Sequence, residues 1–279
     1  MKTLVKALIL LFLSAVIFGT SGFFIYQLFI RPQRVEKQEL AEGTPAPPPD
    51  PGGPELERCE RLEMEGSLIE ARTALQNFVA NYGGSAKMAE AKDHLGRINT
   101  AIFFSTYPSP EKQEYSVQKG DVLMKIASKM KTTPELIMRS NNMTGPILRI
   151  GQRILVSHPN FSLVINRKEK TVTLLDGGKF FKEYGVLEWK APPARGSSPL
   201  TGRVREKMAW KNGQQIGLGA RDYGSSARWI SVGVPNYTLY SQDTEDEKNP
   251  KPAGGIELAR SDMAELSSLL NKNVPVTIE

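Results

Sequence analysis

The first apolar segment of the chain lies at its amino terminus. No charged residue occurs between Lys6 and Arg31, and residues 7–30 are nearly all apolar. About 20 apolar residues suffice for a helix to cross a bilayer, so we expect a transmembrane anchor at 7–30. A signal peptide cleaved near Gly19–Gly22 is the alternative, but the apolar run continues past that weak cleavage site to Ile30.

A spacer is predicted to follow the apolar segment. Residues 36–54 contain six prolines and three glycines. This composition disfavours helix and sheet and favours an extended polyproline conformation. We therefore expect residues 31–54 to form a linker that carries the rest of the chain away from the membrane.

Helical periodicity begins after the linker. Apolar residues recur at spacings of three, four and seven from Leu62 to Val79, and again from Met88 to Phe103. Two glycines at 83–84 separate the runs, so residues 55–105 are predicted to form a helical hairpin. It loosely resembles a single tetratricopeptide repeat in the following positions: Gly66, Glu70-Ala71, Tyr82, Ala89-Glu90-Ala91 and Leu95.

Residues 114–157 are predicted to have the order βααβ. A short strand at 115–117 is followed by a Gln-Lys-Gly-Asp turn and by a helix with one apolar face. Thr133 is expected to cap a second helix, with Pro134 at its first position. A strand at 152–156 completes the module.

The same segment resembles the LysM family over its whole length. The matching positions are Tyr-Ser-Val-Gln-Lys-Gly-Asp at 115–121, Ile126-Ala127, Thr132-Thr133, Leu136, Asn141-Asn142, Leu148, Gly151-Gln152 and Leu155. The resemblance implies binding of N-acetylglucosamine-containing polymers, chiefly peptidoglycan, between the loop after the first strand and the loop after the second helix. The implied glycan-binding residues are Gly120, Asp121, Val122, Leu123, Asn142, Met143, Ile147 and Leu148.

One position departs from the family. LysM domains usually have Ser or Thr where Val122 stands, so one side-chain hydrogen bond to sugar is lost and weak affinity is expected. A LysM fold used only for packing is the alternative.

From residue 161 the hydrophobic period changes to two. Strands are predicted at 163–165, 171–175, 180–186, 204–209, 229–232 and 274–278, with a hairpin turn at Asp176-Gly177-Gly178. One late helix is predicted at 262–271, capped by Ser261. Residues 161–279 are therefore expected to form a mainly-β domain.

This domain resembles the YkuD-type L,D-transpeptidases. The resemblance rests on the hairpins at 163–178, on Ser-Pro-Leu-Thr-Gly at 198–202, on Ala-Arg-Trp-Ile-Ser-Val at 227–232, and on Gly-Gly-Ile-Glu-Leu at 254–258 with the helix and strand that follow. In that family the signature Ser-His-Gly-Cys-x-Arg supplies a cysteine nucleophile for stem-peptide amides, an upstream histidine is the base, and the arginine supports the site.

The chemical positions of that signature are altered in this chain. The resemblance aligns the cysteine with Gly255, the neighbouring histidine with Ala253, the arginine with Glu257 and the upstream base with Tyr240. Thiol catalysis needs a cysteine activated by a base. We therefore expect a degenerate site at Tyr240, Ala253, Gly255 and Glu257, with no catalytic residue.

The residue counts agree with that expectation. The chain has one cysteine, Cys59, and two histidines, His94 and His158, so a disulfide framework and a Cys- or His-rich metal site are excluded. We expect no metal and no cofactor. The net charge of +6 is modest for 279 residues, so nucleic acid is not an expected partner.

These features predict a multidomain α+β chain, with a transmembrane helix, an α-hairpin, a βααβ LysM module and a mainly-β, L,D-transpeptidase-like sandwich with one late helix. We expect an inner-membrane protein whose C-terminal domains are extracytoplasmic or periplasmic. It would tether the membrane to peptidoglycan or scaffold other cell-wall proteins. The alternatives are an active L,D-transpeptidase with an unrecognised nucleophile and a structural, partner-binding protein that does not touch glycan.

Overall fold

The computed structural model describes residues 50–193, 198–242 and 248–279. In these ranges no helix is both long enough and apolar enough to span a bilayer. The predicted anchor at 7–30 and most of the predicted linker lie outside them. The linker prediction is wrong at its end, because the first helix already begins at Gly52. Proline is tolerated in the first turn of a helix, so Pro54 does not delay that start.

Three helices, not two, occupy the predicted hairpin region: α1 (Gly52–Met64), α2 (Leu68–Asn81) and α3 (Met88–Phe103). The extra break is at Gly66, whose φ is +77°. The Ser67 amide donates to Leu62 O and the Gly66 amide donates to Glu63 O, each at a distance of 3.0 Å. These two bonds form a Schellman motif, which ends a helix at a left-handed glycine.

The LysM segment has the predicted order, with β1 (Lys112–Ser116), α4 (Leu123–Lys129), α5 (Pro134–Ser140) and β2 (Arg153–Ser157). The two strands pair antiparallel, with Ser116 opposite Arg153. Thr133 caps α5 as predicted, because its hydroxyl accepts a hydrogen bond from the Leu136 amide at 2.9 Å. A small core of seven buried residues fills the module: Val117, Leu123, Ile126, Ala127, Ile137, Ile154 and Val156.

The described residues from 161 onwards form one large sheet, one α-helix and a short 3-10 helix (Tyr223–Ser225). The strands are β3 (Phe161–Asn166), β4 (Thr171–Asp176), β5 (Lys179–Trp189), β6 (Leu200–Arg203), β7 (Glu206–Lys211), β8 (Gln214–Ile216), β9 (Ala227–Ser231), β10 (Leu239–Tyr240), β11 (Ile256–Leu258) and β12 (Pro275–Ile278). The helix is α6 (Arg260–Leu269), which begins after Ala259 without a side-chain cap, so the predicted Ser261 cap is wrong.

The ten strands lie in the order β6-β12-β3-β4-β5-β11-β10-β9-β7-β8. The predicted sandwich is therefore one continuous sheet. Strand β5 joins its two halves, since residues 179–185 pair with β4 and residues 186–189 pair with β11. The predicted turn between β4 and β5 is confirmed: Gly177 and Gly178 both have positive φ, as a two-residue hairpin loop requires.

The helices α1–α3 and the large sheet share one hydrophobic core. At their contact, the rings of Phe103, Phe161 and Phe181 lie 5.1–5.9 Å apart, centroid to centroid. Asn99 Nδ2 donates to Phe181 O at 2.8 Å, which fixes α3 against β5. Helical region and β domain therefore pack as one body, and Leu136 of the LysM module belongs to the same core.

Candidate functional site

The two predicted groove loops of the LysM module lie at the same end of its strand pair. The C-terminal end of β1 lies beside the N-terminal end of β2. The pairing extends one residue further, because the Val117 amide donates to Gln152 O at 2.9 Å. The Gly151 amide in turn donates to Val117 O at 2.8 Å. The loop at 118–122 and the loop at 141–152 are thus held side by side.

Asp121 organises the first of these loops. Its carboxylate oxygen Oδ2 accepts hydrogen bonds from the Gln118 amide at 2.8 Å and from the Tyr115 hydroxyl at 2.9 Å. These two bonds hold the pKa of Asp121 below its ordinary value. Gly120 has a φ of +87°, which the turn requires and which glycine adopts without strain. Asp121 therefore fixes the conformation of the loop through the hydrogen bonds that its carboxylate accepts.

The second loop is anchored by Asn141. Its side chain donates to Ile137 O and Leu155 O, both at 2.8 Å, and accepts from the Leu155 amide at 2.7 Å. This amide ties the end of α5 to β2. The next residue, Asn142, is exposed and has a φ of +53°, a left-handed conformation that asparagine tolerates.

Apolar side chains are exposed on and beside these loops. Of the seven exposed large hydrophobic residues in the described ranges, four lie in the LysM module: Val122 (50%), Met124 (65%), Ile147 (85%) and Ile150 (72%). Two of them, Met124 and Ile150, were not predicted; Met124 follows the predicted Leu123, and Ile150 lies two residues after the predicted Leu148. Pyranose rings bury their apolar faces on such side chains.

The other predicted glycan-binding residues have different environments. Leu123 is 2% exposed and Leu148 packs on the same small core, so both support the groove from inside the module. Met143 is half-buried, and its amide donates to Met138 O at 2.9 Å. Only some of the predicted side chains are therefore accessible to a ligand.

Three of the four positions that the sequence aligns with the transpeptidase signature lie where β10 and β11 pair in parallel. Tyr240 is opposite Glu257, and Glu257 is opposite Glu188 of β5. Gln242 Nε2 donates to Glu257 Oε2 at 2.8 Å, and Lys190 Nζ lies 2.7 Å from Glu188 Oε2. A tyrosine, two carboxylates and a lysine thus lie on or beside the adjacent strands β10, β11 and β5.

Tyr240 is a poor base in this setting. Its ring is buried, and burial together with the nearby Glu257 carboxylate raises the pKa of its hydroxyl. The hydroxyl therefore stays protonated at neutral pH. The neighbouring Ser241 is also buried, and its Oγ accepts from the Arg228 amide at 3.1 Å.

Gly255 has a backbone that disfavours any side chain. Its φ is +136°, and a Cβ built on it would lie 2.3 Å from Thr238 O and 3.3 Å from Tyr240 Cδ1. The surrounding backbone is fixed by bonds from the Lys190 amide to Gly255 O at 2.8 Å and from the Ile256 amide to Thr238 O at 2.9 Å. The structure thus brings Gly255, Tyr240 and Glu257 together, while Ala253 lies exposed in the preceding loop.

A narrow cleft opens beside Tyr240. Its lining includes Trp229, Ser241, Gln242 and Asn249, and its volume of 10 Å³ corresponds to about one water molecule.

No thiol lies at this cleft. The single cysteine, Cys59, is fully buried in α1, and burial raises its pKa. A thiol of raised pKa forms little of the reactive thiolate. His158, at the end of the LysM module, has its Nδ1 3.4 Å from Met130 O.

One group of possible metal ligands occurs in the described ranges. Glu60, Glu90 and His94 place one ligand atom each within 4.8 Å of one another. His94 Nδ1 also lies 3.0 Å from Glu63 Oε2, and Lys87 Nζ lies 2.8 Å from Glu90 Oε2. The acidic side chains are therefore already paired with protein cations or with the imidazole, which agrees with a surface charge network.

Residues 115–157 match the family model of the LysM domain. The matched segment contains the βααβ order and the two neighbouring loops described above.

Solved structures also resemble this chain. A mutant of the L,D-transpeptidase from Enterococcus faecium is 13% identical, with 75% of this chain and 82% of that one covered at a TM-score of 0.29. The L,D-transpeptidase from Mycobacterium smegmatis is 10% identical, with coverage of 46% and 63% and a TM-score of 0.30.

A third structure is a fused Zn-dependent amidase/peptidase/peptidoglycan-binding domain-containing protein from Clostridium acetobutylicum, 15% identical, with coverage of 43% and 52% and a TM-score of 0.28. This chain thus spans 52–63% of the length of the first two structures matched. At these TM-scores the likeness alone establishes neither the activity nor the substrate of this chain.

Proposed function

We propose that this chain is a membrane-anchored, extracytoplasmic protein that binds peptidoglycan through its LysM module. Its C-terminal domain would be L,D-transpeptidase-like without transpeptidase chemistry, and the protein would tether the membrane to the wall or scaffold cell-wall proteins there. The support for the wall ligand is the LysM match over 115–157, because LysM domains bind N-acetylglucosamine-containing glycan. The support for the anchor is the charge-free apolar segment at 7–30.

The observation that carries glycan binding is the exposed apolar surface beside the two groove loops. Ile147 and Ile150 project from one loop, and Val122 and Met124 follow the other. Leaving such side chains in water has a free-energy cost that contact with sugar-ring faces would reduce. The polar contacts to the acetamide would come from the two loops at 118–122 and 141–152.

The observation that carries catalytic inactivity is the backbone at Gly255. The position aligned with the nucleophile has no side chain, and a Cβ there would overlap Thr238 O. The position aligned with the base is a buried tyrosine whose pKa is raised. The position aligned with the arginine is Glu257, which carries the opposite charge. The three changes each remove a separate part of the reaction.

Glycan binding is tested by co-sedimentation of the purified full-length protein with insoluble peptidoglycan. We expect Ile147→Ser to weaken binding about tenfold, because the lost apolar contact corresponds to about 1.4 kcal/mol. Leu187→Ser is the matched control, since Leu187 is 67% exposed on β5 outside the LysM module. Equal binding by both variants would contradict the proposed groove, and absence of wild-type binding would favour the alternative of a partner-binding protein.

Catalytic inactivity is tested by intact-mass spectrometry after incubation with a carbapenem. Acylation needs an activated nucleophile, so we expect no adduct on the native protein. A stoichiometric adduct mapping to residues 235–260 would contradict the proposal and favour an active transpeptidase with another nucleophile. A matched active L,D-transpeptidase under the same conditions shows that the reagent is competent.

A further inference from the structure

The net positive charge of this protein is concentrated in the LysM module. Residues 112–157 contain eight Lys and Arg residues and three Asp and Glu residues, a net charge of +5, against +6 for the whole chain. The helical region before it, residues 50–111, contains six basic and ten acidic residues and is net acidic. A change of charge sign between neighbouring segments indicates that the basic one meets an anionic partner.

Three of these cations lie at the two groove loops. Lys119 lies in the loop at 118–122, and Lys125 follows it in the first turn of α4. Arg149 lies in the loop at 141–152. All three side chains are exposed, and no carboxylate of a described residue lies within 4.0 Å of their nitrogen atoms. Their charges are therefore available to a ligand.

The two loops contain a single carboxylate, that of Asp121. It is the oxygen Oδ2 of this residue that accepts the hydrogen bonds from the Gln118 amide and the Tyr115 hydroxyl. The Gln118 amide is the largest cause of the lowered pKa of Asp121, and the positive charges of Lys129 and Lys125 lower it further. Asp121 is thus occupied within the module, and the surface at the loops remains net positive.

The cations alternate with the exposed apolar side chains. Arg149 lies between Ile147 and Ile150 in the sequence, and Lys125 directly follows Met124. A neutral sugar polymer would contact only the apolar side chains and the polar groups of the loops. A ligand that contacts the whole surface presents apolar ring faces and negative charges close together.

We propose that the groove loops select N-acetylglucosamine-containing polymers that carry carboxylates, and that Lys119, Lys125 and Arg149 pair with these carboxylates. This inference rests on the proposed glycan binding and names the substrate class of the same site. In peptidoglycan the carboxylates belong to the stem peptides, whereas chitin has the same acetamido sugar and no charge. Exposed ion pairs are individually weak, so the preference comes from several pairs together and is sensitive to salt.

The test compares two forms of one polymer. Purified sacculi are treated with hydrofluoric acid, which removes phosphodiester-linked polymers, and their free amines are acetylated. Half of the material is then coupled to ethanolamine with a carbodiimide, which converts its carboxylates into neutral amides. The two forms have the same glycan and differ in their carboxylates, so any difference in binding reports on those groups.

We expect the full-length protein to bind the carboxylate form at least tenfold more tightly than the amidated form at low ionic strength. In about 1 M NaCl the Debye length falls to about 3 Å, and we expect the preference to fall below about threefold. Binding is measured by co-sedimentation over a range of polymer concentrations.

A triple variant locates the preference. In Lys119→Gln, Lys125→Gln, Arg149→Gln the ratio of the two affinities is expected to fall below threefold at low ionic strength, because the pairing cations are gone. Binding of the amidated form is expected to equal that of the wild type, since the apolar side chains are unchanged. Melting temperatures of variant and wild type establish that the variant is folded.

The matched control removes the same charges elsewhere. Lys168→Gln, Lys170→Gln, Arg205→Gln also replaces two lysines and one arginine, all exposed and all outside the LysM module. We expect it to keep the full preference for the carboxylate form. An equal loss of preference in both triple variants would overturn the proposal, because it would assign the effect to the net charge of the protein.

The remaining outcomes separate this inference from the proposed function. Equal binding of the carboxylate and amidated forms by the wild type would overturn the selection of carboxylates and leave glycan binding standing. Absence of binding to both forms would contradict the proposed function itself, and this inference with it. An unchanged preference in the variant at Lys119, Lys125 and Arg149 would overturn their assignment.

Discussion

At the scale of single residues, Gly255 shows how the backbone conformation of a position can exclude a side chain. An L-residue at a φ of +136° is strained, and the predicted position of its Cβ overlaps a backbone oxygen, Thr238 O, which cannot move like a flexible side chain. The local backbone has therefore adapted to glycine. A cysteine at this one position would meet the same strain and the same overlap.

This reasoning predicts that Gly255→Ala lowers the free energy of unfolding by about 2–4 kcal/mol, the sum of backbone strain and overpacking. Gly185→Ala is the control, because Gly185 in β5 has open space around its Cβ position and no positive φ. It should change stability by about 0.5 kcal/mol or less. Urea unfolding of both variants measures the difference, and equal effects would mean that the Gly255 loop relaxes without cost.

Individual residues also differ in how far their structural roles could be predicted from the sequence. The Thr133 cap was predictable because its partner, the Leu136 amide, lies three residues away. The steric limit at Gly255 was not, because it depends on a backbone torsion and on the position of Thr238 O. No local pattern of residue types encodes the distance from Gly255 to Thr238 O.

At the scale of elements, helix α5 connects the LysM module to the β domain. Its C-terminal end is tied to β2 of the LysM module through Asn141, and its other face packs against the β domain. Glu135 is the centre of that second contact: Tyr223 Oη donates to its Oε1 at 2.7 Å, and Lys207 Nζ lies 3.7 Å from the same oxygen. Burial, with the Glu135 carboxylate close by, raises the pKa of Tyr223 to about 12, so the hydroxyl remains a donor.

We predict that Glu135→Ala lowers the free energy of unfolding by about 3 kcal/mol, because it leaves the buried Lys207 ammonium without its counter-charge. Glu114→Ala is the control, since Glu114 pairs with Arg153 at 3.4 Å on the surface and exposed pairs contribute about 0–1 kcal/mol. Urea unfolding compares the two variants. A loss at Glu135 no larger than at Glu114 would contradict a rigid contact between the LysM module and the β domain.

Element existence was more predictable than element boundaries and contacts. The period-two strands at 161–186 and the βααβ order were visible in local alternation and turn residues. The division of the first predicted helix was missed, although Gly66 and Ser67 were available as a stop and a restart signal. The pairing of β10 with β11 depends on contacts between residues 239–240 and 256–257, and strands of two or three residues have no recognisable period.

At the scale of the whole molecule, residues 50–279 form a single compact unit. The LysM module is not a separate, flexibly tethered domain, because Leu136 lies in the main core and Asn271 Nδ2 donates to Lys131 O at 2.7 Å. Its exposed apolar side chains are therefore presented from a fixed position on the β domain. A wall-binding protein built in this way would hold its C-terminal domain in one orientation relative to the glycan strand.

The most direct test of this account is one experiment on isolated peptidoglycan sacculi. The full-length protein is incubated with sacculi and sedimented, and the pellet is digested with a muramidase for analysis of protein and muropeptides. We predict that the protein is in the pellet and that the muropeptide profile, including its crosslinks, equals that of sacculi incubated without protein. Protein that remains in the supernatant, or new crosslinked muropeptides in the pellet, would contradict the proposed binding or the proposed lack of transpeptidation, respectively.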